Sequence, residues 1–187
     1  MRHLYLLRHA KSDWDDPALS DHARTLNDRG RRAAATIGAY LAQGQIAPQA
    51  VLVSSARRTR QTFDLLALTP RPAIVAPMDE LYLAEPGRIL AILHGVDPAI
   101  SSVMVIGHNP GIHTLAMTLA EDEPQTVPLN APAGRSAHDT RLARLAGGFP
   151  TGALAEFSLS GPWCDLAPGG ATLTRLTTPY DLPEMAR

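Results

Sequence analysis

The chain has 187 residues and a formal net charge of −1, with 45% hydrophobic and 19% charged residues. This composition is typical of a soluble globular domain, and the length allows a core that needs no disulfide or metal. The balanced charge gives no reason to expect nucleic acid or an anionic membrane as a partner. A lone cysteine, Cys164, and the lack of an apolar run near the roughly 20 residues of a membrane span predict a cytoplasmic protein.

The first part of the chain predicts a strand, a polar loop and a helix. The apolar run His3–Arg8 predicts a short buried strand, and the polar stretch Asp13–Thr25 predicts a loop after its end. A helix is predicted over Asp28–Gln43, because Asn27 is a favourable N-cap and Gly44 a favourable C-terminal stop. The chain therefore begins with the alternation of strand and helix that is typical of an α/β fold.

Short apolar runs and helical patterns continue to alternate as far as residue 120. Strands are predicted over 51–54, 74–76 and 103–106, and helices over 57–68, 86–94 and 112–120. Near the end of the chain, Leu154–Ser160 and Ala171–Thr177 alternate like antiparallel strands. This order predicts one α/β domain over residues 1–187, with a mostly parallel central sheet and an antiparallel C-terminal edge.

Residues 121–150 interrupt the alternation and are rich in Pro, Gly and Ala. We expect this segment to be a surface excursion or a lid within the domain. A short helix is predicted inside it, near Thr140–Leu145.

Cationic and titratable side chains follow three of the predicted strands. In open α/β sheets, ligands bind outside the carboxyl ends of the strands, so these positions are the first candidates for a site. The candidate residues are Arg8, His9, Arg57, Arg58, Arg60 and His108. If the three strand ends converge, they form a pocket with at least two guanidiniums and two imidazoles.

Such a pocket has the chemistry to bind a small dianion and transfer its phosphoryl group. Arginine forks match phosphate oxygens, and a neutral imidazole nitrogen can attack phosphorus to form a phosphohistidine. The other ring nitrogen must then be held as N–H to fix the tautomer. Because arginines supply the positive charge, we expect a phosphate ion in the pocket but no metal and no cofactor.

Three motifs in this order resemble the histidine phosphatase superfamily, which includes the cofactor-dependent phosphoglycerate mutases. "LRHA" at Leu7–Ala10 resembles its Arg-His-Gly signature, with Ala10 in place of Gly; "SSARRTRQT" and "VIGHNPG" resemble its second-arginine and second-histidine elements. The resemblance implies a phosphoglycerate mutase-like, three-layer α/β/α sandwich. It also implies that His9 is the nucleophile, that Arg8 and Arg58 bind phosphate, and that His108 stabilises the transferring group.

The short chain and "RHAKSDW" further resemble the SixA-like phosphohistidine phosphatases, which lack a large helical cap. This resemblance implies a phosphohistidine protein as substrate. Mutase-like members continue their signature with Glu-Ser-x-x-Asn, whereas this chain continues with "KSDWD", so Lys11 and Ser12 are candidates for contact with a different substrate. Larger members of the superfamily protonate an alkoxide leaving group with a carboxylic acid. Glu80 lies near the matching region, and Glu85 and Asp79 are its competitors.

Two alternatives to a phosphohistidine phosphatase follow from these residues. The first is a phosphomonoesterase that hydrolyses a phosphorylated small molecule and uses Glu80 as its general acid. The second is a non-catalytic module that binds phosphate. The intact set of Arg8, His9, Arg58 and His108 favours an enzyme, because binding alone needs no nucleophile.

Overall fold

Apolar runs rich in Leu, Val and Ile form one sheet in the computed structural model, which describes residues 1–14, 16–120, 137–183 and 185. The strands within these residues are β1 (Arg2–Arg8), β2 (Ala50–Ser54), β3 (Ile74–Met78), β4 (Ser102–Gly107), β5 (Leu154–Leu159) and β6 (Thr172–Thr177). The α-helices are α1 (Asp28–Gln43), α2 (Arg57–Leu66), α3 (Pro86–His94), α4 (Gly111–Ala120) and α5 (Ala137–Ala146).

The strands lie in the order β3-β2-β4-β1-β5-β6. The pairs β3/β2, β2/β4 and β4/β1 are parallel, whereas β1/β5 and β5/β6 are antiparallel. This confirms the prediction of a mostly parallel sheet with an antiparallel C-terminal edge. It also puts the carboxyl ends of β2, β4 and β1 side by side.

Helices cover both faces of the sheet, which gives the predicted three-layer α/β/α sandwich. Leu4 and Leu6 of β1 pack on the face covered by α3, α4 and α5. Leu7, the next residue along, packs on the opposite face with Ile37 of α1 and Leu66 of α2. Because β1 is buried on both faces, it is a continuous apolar run rather than an alternating one.

Helix boundaries follow local backbone signals. α1 begins after Asn27, whose Oδ1 accepts a hydrogen bond from the N–H of Gly30 at 2.8 Å, as the sequence predicts. α2 ends at Leu66, two residues before the predicted end, because Ala67 adopts the left-handed conformation with φ of 47°. No helix in the described part of the chain is long and apolar enough to cross a membrane.

The segment 121–150 divides at residue 137. Residues 121–136 lie outside the described residues, and the role of the segment as excursion or lid stays a prediction, as does the single domain over 1–187. α5 confirms the predicted short helix and is longer than predicted. α5 packs against β6 and α4, since its Arg141 Nε donates to the carbonyl of Leu173 in β6 at 3.1 Å and Nε2 of His113 in α4 contacts the carbonyl of Leu145 at 2.8 Å.

Candidate active site

The carboxyl ends of three adjacent strands open into one cavity of about 310 Å³. β4 lies between β1 and β2, so the chain that leaves each strand meets the other two at the same edge of the sheet. The cavity is lined by Arg8, His9, Lys11, Ser12, Trp14, Asp21, Arg24, Arg58, Leu83, His108, Asn109 and Thr151. The four residues for which the sequence predicts catalysis or phosphate binding through three separate motifs therefore share one pocket.

His9 follows β1 directly and is 7% exposed. Its Nδ1 lies 2.8 Å from the carbonyl oxygen of Ala10. A carbonyl only accepts hydrogen bonds, so Nδ1 carries the proton and Nε2 carries the lone pair. Burial and the nearby guanidiniums lower the pKa of His9 to about 4, against the hydrogen bond to Ala10, which raises it. The imidazole is therefore neutral at neutral pH, with Nε2 as a base and nucleophile.

Arg58 joins the two imidazoles of the cavity. Its Nε donates to Nε2 of His9 at 3.3 Å, and its Nη2 lies 3.2 Å from Nδ1 of His108. Because arginine only donates, Nδ1 of His108 is the acceptor and Nε2–H donates to Ser54 Oγ at 2.7 Å. Burial, then His9 and the guanidinium of Arg58, lower the pKa of His108 to about 3. Both rings are thus neutral, with centroids 5.0 Å apart.

Arg8 reaches the cavity from the last position of β1. Its Nη1 donates to the carbonyl oxygen of Phe149 at 2.8 Å, an oxygen that Asn109 Nδ2 also contacts at 3.0 Å. Its Nε is buried and has no hydrogen-bond partner among the described residues. A buried guanidinium N–H that lacks a partner beside a cavity is suited to an anionic ligand.

Asp21 places a carboxylate in the pocket that the three strand-end motifs do not contain. It lies in a short 3-10 segment, Asp21–Ala23, which Ser20 caps within the loop after β1. Its Oδ2 accepts from Arg58 Nη2 at 3.0 Å and from Tyr82 Oη at 2.7 Å, and its Oδ1 accepts from Arg24 at 2.8 Å. Partial burial raises its pKa, but these hydrogen bonds outweigh burial and hold the pKa at about 2. The group is ionised at neutral pH and cannot act there as a proton donor.

Comparison with known proteins identifies the family. The model of the histidine phosphatase superfamily (branch 1) matches residues 4–82. The structure of a candidate phosphohistidine phosphatase SixA from Nakamurella multipartitia is 34% identical, with 95% of this chain and 96% of that chain covered and a TM-score of 0.77. The chain belongs to the histidine phosphatase superfamily, in its SixA-like branch.

One further structure supports this placement, and another shows the same fold. The corresponding candidate SixA from Agrobacterium tumefaciens is 28% identical over 95% of this chain and 97% of that chain, with a TM-score of 0.72. A protein histidine phosphatase SixA in complex with tungstate is 22% identical over 96% and 98% of the two chains, with a TM-score of 0.71, and shares the fold. This histidine phosphatase is therefore an enzyme, and a non-catalytic phosphate-binding module is set aside.

The residues predicted to contact substrate or to act as the general acid lie in different places. Lys11 is exposed and Ser12 is buried, and both line the cavity. Ser12 Oγ accepts from Arg24 Nη2 at 2.6 Å, so this hydroxyl helps to fix the wall of the pocket. Glu80 is exposed in the 3-10 segment Asp79–Leu81 and is not among the cavity-lining residues.

The three arginines after β2 separate into two groups. Arg58 is 3% exposed and lies in the site, as the family motif implies. Arg57 and Arg60 are exposed and line a different surface groove with Arg71. Helical geometry explains this, because the side chain of Arg58 lies on the buried face of α2 with Thr59 and those of Arg57 and Arg60 do not.

Proposed function

We propose that this histidine phosphatase hydrolyses phosphohistidine on proteins through a covalent phosphohistidine intermediate at His9. The observation that carries the proposal is the protonation pattern of the cavity. Two neutral imidazoles lie among arginines, and Asp21, whose carboxylate is bonded to Arg58, has a pKa of about 2. The site therefore has a nucleophile and has cations that can bind a phosphoryl dianion. Asp21 is ionised and cannot donate a proton to the leaving group of the substrate.

His9 supplies the nucleophile. The hydrogen bond from Nδ1–H to the carbonyl of Ala10 fixes the tautomer that leaves the lone pair on Nε2. That nitrogen attacks phosphorus, a new P–N bond forms, and the bond between phosphorus and the substrate nitrogen breaks. Water then attacks the phosphorylated His9, inorganic phosphate leaves, and the neutral imidazole is restored.

Arg8, Arg58 and His108 stabilise the phosphoryl group during both transfers. Arg58 already contacts both imidazoles, so an oxyanion between the rings meets its guanidinium without rearrangement of the scaffold. A bound dianion raises the pKa of His108, because a negative charge favours the imidazolium form. His108 can then donate a hydrogen bond from Nδ1 to a phosphoryl oxygen, while Ser54 holds Nε2–H.

The leaving group decides between phosphohistidine and a phosphate ester. An alkoxide is a poor leaving group and needs an acid, whereas an imidazole has a pKa near ~6.5 and leaves as the neutral ring once its other nitrogen takes a proton from solvent. Asp21 is ionised, and Glu80 does not line the cavity. A phosphohistidine substrate therefore suits this cavity better than a phosphorylated small-molecule ester.

Rapid quench with a ³²P-labelled phosphohistidine protein tests the proposal. Wild-type protein should form a phosphoenzyme that survives alkali and is lost in acid, and His9→Ala should form none and lose activity by at least about 1,000-fold. His3→Ala, which removes an exposed histidine of the same strand, is the matched control and should behave as wild type. Full activity of His9→Ala on any phosphorylated substrate would contradict the mechanism.

A further inference from the structure

Two large apolar side chains remain in solvent at the rim of the catalytic cavity. Trp14 is 71% exposed and Leu83 is 52% exposed, and both line the cavity that contains His9. They come from different parts of the chain, one from the loop after β1 and the other from the segment between β3 and α3. We call this pair the apolar collar.

Trp14 is held in place although it is exposed. The guanidinium of Arg24 lies 3.2 Å from the centroid of the indole ring. Arg24 is itself 6% exposed and fixed by hydrogen bonds to the carbonyl of Asp13 at 2.8 Å, to Asp21 and to Ser12 Oγ. A cation–π contact to a fixed guanidinium keeps the ring in one orientation at low entropic cost for a partner that binds it.

Leu83 is presented by an unusual backbone. Its φ is 49°, in the left-handed region that residues with a Cβ rarely adopt. The next residue packs so closely on the start of α4 that a Cβ on Gly111 would lie 1.8 Å from the carbonyl oxygen of Ala84. On the other side, Tyr82 bonds to Asp21. Strained conformations that the surrounding structure enforces are concentrated at functional sites.

We propose that the apolar collar binds the polypeptide that surrounds the phosphohistidine, so that the preferred substrate is a protein with apolar side chains next to that residue. This inference rests on the proposed function. Trp14 and Leu83 line a cavity of about 310 Å³ and yet remain 71% and 52% exposed, so much of each side chain is accessible to residues next to the phosphorylated one. Continuity with the cavity that contains His9 identifies the occupant, because Trp14 and Leu83 line that same cavity and a polypeptide that delivers its phosphoryl group to His9 brings its flanking residues close to them. Exposed aromatic residues of this kind often dominate the energy of protein contacts.

Paired synthetic peptides test the collar directly. Two phosphohistidine peptides of equal length carry either leucine or serine on both sides of the phosphohistidine, and free phosphohistidine is the third substrate. We expect wild-type protein to prefer the leucine peptide in kcat/KM. Trp14→Ala should lower kcat/KM on that peptide by about 10- to 30-fold, the range typical of a buried aromatic anchor, and lower the value for free phosphohistidine by a much smaller factor.

Further variants separate the collar from a structural role. Leu83→Asn removes the apolar group but keeps a residue that tolerates positive φ, and should lower the same kcat/KM by about 3- to 10-fold. Trp14→Phe should recover most of the loss. Ile74→Ala, which removes an exposed apolar side chain of β3, should have no effect. Equal losses on the peptide and on free phosphohistidine, or equal kcat/KM for the two peptides in wild type, would overturn the proposal.

A binding assay tests the apolar collar independently of catalysis. It applies even if the protein hydrolyses no phosphohistidine, the result that would contradict the proposed function. Stable phosphonate analogues of the two peptides are titrated into His9→Ala and into His9→Ala with Trp14→Ala, with fluorescence anisotropy as readout. Tighter binding of the leucine analogue that the second substitution removes supports the collar. Equal binding of both analogues overturns it, as would a concentration-dependent dimer that Trp14→Ala dissolves, which would identify a second copy of the chain as the occupant.

Discussion

Lowering the pH should destabilise the fold through the two cavity histidines. Burial and nearby charges lower their pKa from 6.5 to about 4 for His9 and about 3 for His108. In the unfolded chain both imidazoles take up protons near pH 6.5, whereas the folded protein does not until the pH reaches the lower values. The unfolded state therefore binds more protons in this window, and the free energy of unfolding falls as the pH drops through it.

The size of the effect follows from these pKa values. At pH 5 the pH lies about 1.5 units below the pKa of each unfolded imidazole but still above the pKa of the folded one. At 1.36 kcal/mol per unit, protonation then stabilises the unfolded state by about 2 kcal/mol for each histidine. The two together give about 4 kcal/mol, a large part of the 5 to 15 kcal/mol that is typical of a domain. Asp21 does not interfere at this pH, because its stabilising ionised form is lost only below its ordinary pKa of 3.8, as the pH falls towards about 2.

Urea unfolding at pH 7 and at pH 5 measures the effect. Wild-type protein should lose about 4 kcal/mol between the two values, and His9→Gln and His108→Gln should each lose about 2 kcal/mol, since each variant removes one titrating group. The exposed His3 provides the control variant, His3→Gln, which should lose as much as wild type. Equal losses in wild type and in both cavity variants would show that these imidazoles are not held neutral by the fold.

Three further predictions concern the pocket and its support. Asp21→Asn frees donors of Arg58 from a competing carboxylate and should lower the inhibition constant for inorganic phosphate by about 3- to 10-fold in a competition assay; an unchanged or weaker constant would contradict this. Glu80→Gln should leave kcat unchanged on phosphohistidine protein and on an alkyl phosphate, since Glu80 does not line the cavity; a loss confined to the alkyl phosphate would support a general-acid role and contradict this. Gly111→Ala should lower the free energy of unfolding by about 2 kcal/mol or more, whereas Gly87→Ala in α3, where an added Cβ meets no atom within 4 Å, should not.

Much of the fold could be predicted because its signals are local. The strand runs, the Asn27 cap and the Pro86 start of α3 each fix one element, and the observed boundaries agree to within two residues, except that α5 begins three residues before its predicted start. The end of α2 was less predictable, because the residue in the left-handed conformation is Ala67 and not the glycine that usually indicates a helix end. The order of the strands could not be deduced from these local signals alone, since it depends on which apolar faces pack together.

Residues of the candidate site could be predicted where they directly follow a strand. They could not be predicted where a long loop brings them back to the strand ends. His9 and His108 could be predicted as site residues because they follow strands whose carboxyl ends converge, whereas Arg58 was separated from Arg57 and Arg60 only by the resemblance to the family motif. Asp21 comes from the loop after β1, and only its bonds to Arg58 and Tyr82, which are 37 and 61 residues further along the chain, bring it into the pocket. The available signal for Asp21 was the sequence "SDHA", which favours a capped turn in the polar loop after β1.

This missed residue changes what the pocket can select. The carboxylate of Asp21 is bonded to Arg58 and lowers the local positive charge, so we expect a small dianion such as inorganic phosphate to compete with Asp21 for Arg58. A phosphorylated protein has a second source of binding energy at the apolar collar, which free phosphate lacks. Weak phosphate binding combined with apolar contacts at the rim of the pocket favours the release of inorganic phosphate over its retention. In this arrangement, binding energy comes from the polypeptide and catalysis from the imidazole and arginines, so Trp14 and Asp21 should affect substrate choice while His9 affects the chemical step.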